Sequence, residues 1–213
     1  MAIDKYLKNK KYVIWDWNGT LLDDRIHTWT TGNALLKSEG RDEVSLQFYL
    51  NNFCFPVSEY YKLLGLDVEN KEHFKKICHF FVSKYMEKIS ECSVKPEMKV
   101  ILENIRARGL KQSILSAADQ ESLITMVEQQ GISNYFENIF GLANKEATCK
   151  ISRGAELIEI LSSNYKKEEM LIVGDTLHDL EVGKENSVDV VLVSHGHNSK
   201  DRLVAEHNMV IEV

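Results

Sequence analysis

Asp16 follows the apolar run Tyr12-Val13-Ile14-Trp15, and Asp175 follows a second run, Met170-Leu171-Ile172-Val173-Gly174. Carboxylates placed just after buried strands suit two kinds of chemistry. They hold a cation, or one of them attacks an electrophile and carries a covalent group for a moment. Asp179 stands four residues beyond Asp175, across the turn Gly174-Asp175-Thr176-Leu177-His178. Three or so oxygen ligands plus waters suit Mg²⁺, which takes few carboxylates and a phosphate. A plainer reading stands beside this one. Asn18-Gly19 between apolar residues is a strong hairpin signal, and Asp175 or Thr176 can simply cap a helix.

The elements that must position these acids follow from hydrophobic periodicity. Tyr12 to Trp15 reads as a buried strand. Residues 24–93 contain no such run. Ile26, Trp29, Ala34, Leu35 and Leu36 predict a helix closed by Gly40, and residues 44–50 and 59–64 predict two more. Residues 71–89 predict a fourth, whose Phe74, Ile77, Cys78, Phe81, Tyr85 and Ile89 form one stripe, read as core. After Pro96, which suits the first position of a helix, helices and strands alternate. Val100, Ile101, Leu102 and Ile105 face inward on a helix ended by Gly109. Ser113-Ile114-Leu115 reads as a short strand ending at Ser116, and Asp119 caps a helix faced by Leu123, Ile124 and Val127. Residues 139–142, 170–173 and 188–193 read as strands, and 152–161, 178–184 and 200–206 as helices.

This alternation predicts an α/β protein, a three-layer Rossmann-like parallel sheet with right-handed crossovers and an inserted all-α cap. The boundaries expected are a core of residues 1–22 and 94–213 and a helical cap of residues 23–93. Parallel strands share one carboxyl edge, so Asp16, Ser116 and Asp175 can meet there. Gly174 would let the backbone pass close to a ligand.

Asp16-Trp17-Asn18-Gly19-Thr20-Leu21-Leu22-Asp23-Asp24 resembles the first motif of the haloacid dehalogenase-like (HAD) hydrolases, Asp-X-Asp-Gly-Thr in the phosphatase branch. Gly174 to Asp179 resembles their fourth, Gly-Asp-X-X-X-Asp. Ser116 resembles the second motif, a hydroxyl ending an apolar strand. Lys150, ahead of a helix, resembles the third, with Lys145 as a competitor. The segments occur in family order, and the helical block matches the inserted cap of many members.

The resemblance implies phosphoryl transfer through an aspartyl-phosphate on Asp16. Mg²⁺ would be held by Asp16, the backbone carbonyl of Asn18 and Asp175, while Asp179 would bind metal-bound water or orient its neighbours. Ser116 would bond a phosphoryl oxygen, and Lys150 would neutralise it. Trp17, Gly19, Thr20, Ser116, Ala117 and Lys150 become the candidates for contact with substrate, Trp17 either lining the pocket or packing. The implied substrate is a small phosphorylated metabolite, in the manner of phosphoglycolate-phosphatase-like members.

Asn18 departs from the pattern, because phosphatases of the family carry an acid there that protonates the leaving oxygen. An amide cannot, and general acid–base help is worth about 10²–10⁴ in rate. The expectation is a retained cation and phosphate site with weakened or altered activity. Two alternatives stay open. A phosphonoacetaldehyde-hydrolase-like C–P hydrolase also lacks the second acid and needs a cap lysine for a Schiff base, for which Lys37, Lys62 and Lys84 are available. A catalytically impaired phosphate-binding protein is the other. Asp175 and Asp179 argue against dehalogenase chemistry. His195 and His197 follow a strand and are candidates to reach the site, whereas His27, His73 and His79 read as surface or core.

Composition sets the remaining bounds. With 213 residues, 44% hydrophobic and 27% charged, the chain suits one large domain or a core with one insertion. A net charge of −6 with scattered basic residues argues against nucleic-acid binding. No apolar stretch approaches a membrane span, and the first residues are too charged for a signal peptide. Cys54, Cys78, Cys92 and Cys149 form no CxxC pair, which fits a reducing, cytoplasmic setting. A monomer or homodimer is expected.

Overall fold

A computed structural model describes residues 1–142 and 150–213. Strand β1 (Tyr12–Trp15) lies at the middle of a six-stranded sheet with β2 (Lys111–Asp119), β3 (Asn138–Leu142), β4 (Met170–Gly174), β5 (Asp189–Val193) and β6 (Val210–Ile211). The order is β3-β2-β1-β4-β5-β6, and every pairing is parallel. Tyr12 is level with Lys111 on one side and Met170 on the other.

All four residues of β1 are buried, and they alternate between two cores. Val13 and Trp15 join one face with Leu102 and Ile105 of α5 (Pro96–Ala107) and Leu123 and Val127 of α6 (Gln120–Gln129). Tyr12 and Ile14 join the other, with Leu157 and Leu161 of α7 (Lys150–Leu161) and Leu180 and Val182 of α8 (Leu177–Asn186). Side chains of a strand point to opposite faces in turn, so a sheet covered on both sides needs apolar residues at every position. Helix α9 (Lys200–Glu206) and β6 complete the sheet edge.

Between β1 and α5 lie four helices, α1 (Arg25–Ser38), α2 (Leu46–Asn52), α3 (Val57–Leu63) and α4 (Lys71–Lys88). Ser45 and Asn70 cap α2 and α4 by accepting from the amides of Phe48 and His73, each at 3.1 Å. This block has its own apolar cluster of Leu35, Leu36, Tyr49, Tyr60, Tyr61, Leu66 and Ile77. It meets the rest of the chain in part through the loop after β5 and the first turn of α9. The amide of Ser199 donates to the carbonyl of Leu50, and Asn198 and Arg202 both donate to the carbonyl of Phe53.

The strand expected to end at Ser116 runs on to Asp119, so Ser116 lies inside β2 rather than beyond it. The pairing of β2 with β3 shifts between Leu115 and Asp119, which takes residues 116–118 out of regular register. Such bulges re-aim side chains next to functional sites. Lys150 is the first residue of α7, not a loop residue before it. Lys145 and Cys149 lie outside the described residues, and no disulfide joins the other three cysteines. No described helix is long and apolar enough to cross a membrane.

Candidate active site

The chain turns from β1 towards β2 on one side and is met by β4 on the other. That change of direction leaves a crevice at the carboxyl ends of β1 and β4, where open α/β sheets bind ligands. Asp16 follows β1 and Asp175 follows β4, so both carboxylates enter it. The backbone at Asp16 is still tied to β4 by a 2.8 Å bond to the carbonyl of Val173.

Asp16, Asp175 and Asp179 are buried, and each offers one carboxyl oxygen within 4.8 Å of the others. Lys150 reaches in from the start of α7 and pairs with both Asp16 and, at 2.5 Å, Asp179. The second oxygen of Asp179 holds its own turn, accepting from the amide and hydroxyl of Thr176 at 3.0 and 2.8 Å. The hydroxyl of Thr20 donates to Asp175 at 2.8 Å.

Charge in this cluster is unbalanced. Burial, reinforced by the charges of Asp179 and Asp175, pushes Asp16 well above the ordinary carboxylate range despite Lys150. Burial, with Asp179 beside it, also raises Asp175. Asp179 goes the other way, because the charge and hydrogen bond of Lys150 outweigh its burial. Lys150 itself is raised, its burial being outweighed by Asp16 and Asp179. One ammonium among three buried carboxylates leaves negative charge in surplus, and the surplus sits on converging oxygens. A small divalent cation with oxygen ligands fits that donor set.

Next to this cluster lies a second buried ion pair, which also lines the cavity. His197, in the loop after β5, stands 3.2 Å from Asp24. Its backbone amide donates to Asp175 at 2.6 Å, and its other ring nitrogen meets the hydroxyl of Tyr49 from α2 at 2.8 Å. Asp24 also accepts from the Tyr85 hydroxyl of α4 at 2.7 Å, from the Gly19 amide at 2.7 Å and from the Asn18 amide at 2.9 Å. Burial alone would lower His197, but the carboxylates of Asp24 and Asp175 hold it up at about 9. Burial alone would raise Asp24, but His197 and the donors around it bring it down to about 2.

A proton held this way is a contribution to stability. It is complete below the ordinary histidine value of 6.5 and is lost as pH rises through about 9. That shift corresponds to about 3 kcal/mol. Denaturant unfolding of the native chain between about pH 6 and about pH 10 is expected to show this decline, and His197→Gln, which cannot titrate, to flatten it.

Several expected site residues take different places. Trp17 is fully buried in the core cluster of Val13 and Trp15 and does not line the cavity. Gly19 and Thr20 do not line it either. Gly19 has a positive φ of 74°, and a Cβ there would collide with Asp175 and His197, so its part is to admit those side chains. Gly174 likewise makes room for the Asp179 side chain rather than for a ligand. Ser116, Ala117, Lys150, Asp16 and Asn18 do line the cavity.

The Asn18 amide donates to Asp24 and, at 2.7 Å, to the hydroxyl of Tyr85, so the position of the missing acid is tied into the second ion pair. His195 bonds the carbonyl of Thr20 at 3.0 Å. His27 bonds the carbonyl of Tyr85, and His73 pairs with Glu39. The lysines available for a Schiff base, Lys37, Lys62 and Lys84, are all exposed, and Lys150 is the only lysine among the described lining residues.

Sequence reading missed Asp24, Tyr49 and Tyr85 as site residues. The α4 stripe packs as core, with Ile77 buried and Phe74, Cys78 and Phe81 against it, and Cys78, Phe81 and Tyr85 line the cavity as well. A second aspartate beside Asp23, ahead of a helix, was the one available signal for Asp24.

Strand order and a carboxylate–lysine cluster at the crevice between β1 and β4 put the chain in the class of α/β proteins with a Rossmann-like sheet of HAD type. Residues 13–193 match the family described as haloacid dehalogenase-like hydrolase, and the chain belongs to that family. It is similar to the phosphoglycolate phosphatase of Synechococcus elongatus, with 20% identity over 198 residues, 91% of this chain and 88% of that one. It is also similar to the phosphoglycolate phosphatase of Aquifex aeolicus, with 24% identity over 193 residues, 88% of this chain and 86% of that one. A haloacid dehalogenase-like family hydrolase from Streptococcus pneumoniae shares the fold at a TM-score of 0.77 and 18% identity, covering 96% of this chain and 94% of that one.

Proposed function

We propose that the protein is a Mg²⁺-dependent phosphatase of a small phosphorylated metabolite, working through an aspartyl-phosphate on Asp16. The observation that carries this reading is the buried cluster of Asp16, Asp175, Asp179 and Lys150 at the sheet edge. Residues 1–22 and 94–213 act as the catalytic core, and residues 23–93 act as a cap that shields the reaction from bulk water.

Asp16 attacks phosphorus in line, and the bond to the leaving oxygen breaks as the new bond forms. Water then attacks the aspartyl-phosphate, releases phosphate and regenerates Asp16. Lys150 offsets charge on the transferred group, and Ser116 donates to one of its oxygens. Asp16, the backbone carbonyl of Asn18 and Asp175 would hold Mg²⁺, which when bound supplies further positive charge against the phosphoryl oxygens. Asp179 keeps Lys150 and the Thr176 turn in place.

Asn18 has no proton to give, so the leaving oxygen draws its proton from water. Asn18→Asp tests this. A carboxyl at position 18 would face Asp24, whose charge raises its pKa and keeps it protonated, as a general acid must be. Turnover of an alkyl phosphate is expected to rise about 10- to 100-fold. A native rate equal to or above that of the variant would contradict the role given to Asn18.

The reading as a whole is tested by a screen of phosphorylated metabolites with and without Mg²⁺. Phosphate release that requires the metal is expected. Phosphate binding without turnover of any ester would make the chain a binding protein instead.

A further inference from the structure

The cavity that opens from Asp16, Ser116 and Lys150 extends into the helical block and has a volume of about 360 Å³. That is within the range of small-molecule pockets. Its charged groups, Asp16, Asp24, Asp119, Lys150 and His197, come from the sheet edge and the segments beside it. The far end is built from side chains such as Trp29, Leu36, Phe53, Val57, Tyr60 and Phe81.

Among the described lining residues the cations are Lys150 and His197, and both are committed. Lys150 is bonded to Asp16 and Asp179. His197 uses one ring nitrogen on Asp24 and the other on Tyr49. A substrate carboxylate entering this space would be stripped of water with no free cation among the described residues to meet it, which is strongly unfavourable. An apolar ring gains by the same transfer. Tyr60 and Tyr61 keep hydroxyls with no hydrogen-bond partner among the described residues, so a neutral polar substituent could be met there.

We infer that the cavity selects a phosphoester whose organic part is uncharged and largely apolar, about the size of an aromatic ring, over one that bears a carboxylate. This rests on the phosphatase reading, and it separates the chain from a preference for 2-phosphoglycolate.

Benzyl phosphate and 2-phosphoglycolate make a suitable pair, because both lose a primary alkoxide and differ in what the cavity must hold. With Mg²⁺ present, kcat/KM is expected to favour benzyl phosphate by about 10- to 100-fold, the worth of burying one aromatic ring. Phosphonates carrying the same organic groups, each one atom shorter than its ester and not hydrolysable at an ester oxygen, separate binding from chemistry. Benzylphosphonate is expected to bind at least about 10-fold more tightly than phosphonoacetate by calorimetry. If neither ester is turned over but benzylphosphonate keeps that advantage, the phosphatase reading fails and the cavity's selectivity stands. Preference for 2-phosphoglycolate, or equal or absent binding of the two phosphonates, overturns the inference.

Gly32 supplies the variant. It lines the cavity within α1, and a Cβ built on it meets no atom within 4 Å. Gly32→Phe fills the space, and replacing a glycine inside a helix favours the fold. Its folding is checked by thermal unfolding. Benzylphosphonate affinity is expected to fall at least about 10-fold. Unchanged affinity in the folded variant would show that the ring binds elsewhere and would overturn the inference.

Discussion

Asp16→Asn is expected to lower phosphate release by roughly 10⁴-fold or more, because no other group replaces a nucleophile bonded to phosphorus. The same change is expected to stabilise the metal-free protein by about 1 kcal/mol. The sign follows from the raised pKa of Asp16. Above the ordinary aspartate value of 3.8, the folded state holds this carboxylate less willingly than the unfolded chain does. Asparagine keeps an oxygen for Lys150 and removes the charge that Asp175 and Asp179 repel. Steady-state kinetics and urea unfolding on one pair of preparations measure both halves. Loss of activity with loss of stability would mean that Asp16 holds the fold rather than the reaction.

Lys150→Met is expected to act in the opposite way on stability. It leaves Asp16, Asp175 and Asp179 buried together without the cation that contacts two of them. Removing one partner from a buried ion pair costs about 3–5 kcal/mol. Turnover is expected to fall about 10²–10³-fold as well, the size of losing one charge-stabilising group. The informative comparison is with and without Mg²⁺. A divalent cation can take over neutralisation of the acids, so the stability deficit is expected to shrink when Mg²⁺ is added. A deficit that ignores Mg²⁺ would place the cation somewhere other than this cluster.

Asp16 and Asp175 were legible because each ends a continuous apolar run, and such runs mark strands buried on both faces. The parallel sheet then brings both to one edge, and the structure has them there. Lys150 could be placed near the start of a helix, but its reach to Asp16 depends on how α7 packs, which no local pattern records. Trp17 was ambiguous, yet parity carried a usable signal. Val13, Trp15 and Trp17 share one core cluster, so the alternation of β1 continues one step past its end.

The pairing of Asp24 with His197 was not legible. One partner precedes a helix and the other lies in a loop after the fifth strand, and no periodicity links them. The α4 stripe was legible as core, but the cavity that part of it lines was not, for a physical reason. A ligand cavity inside a helical block and a packed core both want apolar residues three or four apart, so Phe81 and Ile77 look alike in sequence. Only Ile77 is fully packed, while Phe81 lines the space.

The central claim is that Asp16 accepts the phosphoryl group. Incubation with acetyl phosphate, a generic phosphoryl donor, followed by acid quench and peptide mass spectrometry tests it directly. The account predicts one phosphoryl group on the peptide that contains Asp16, formed only with Mg²⁺, removed by hydroxylamine and absent from Asp16→Asn. A phosphoryl group on another residue, or turnover that persists in Asp16→Asn, would contradict it.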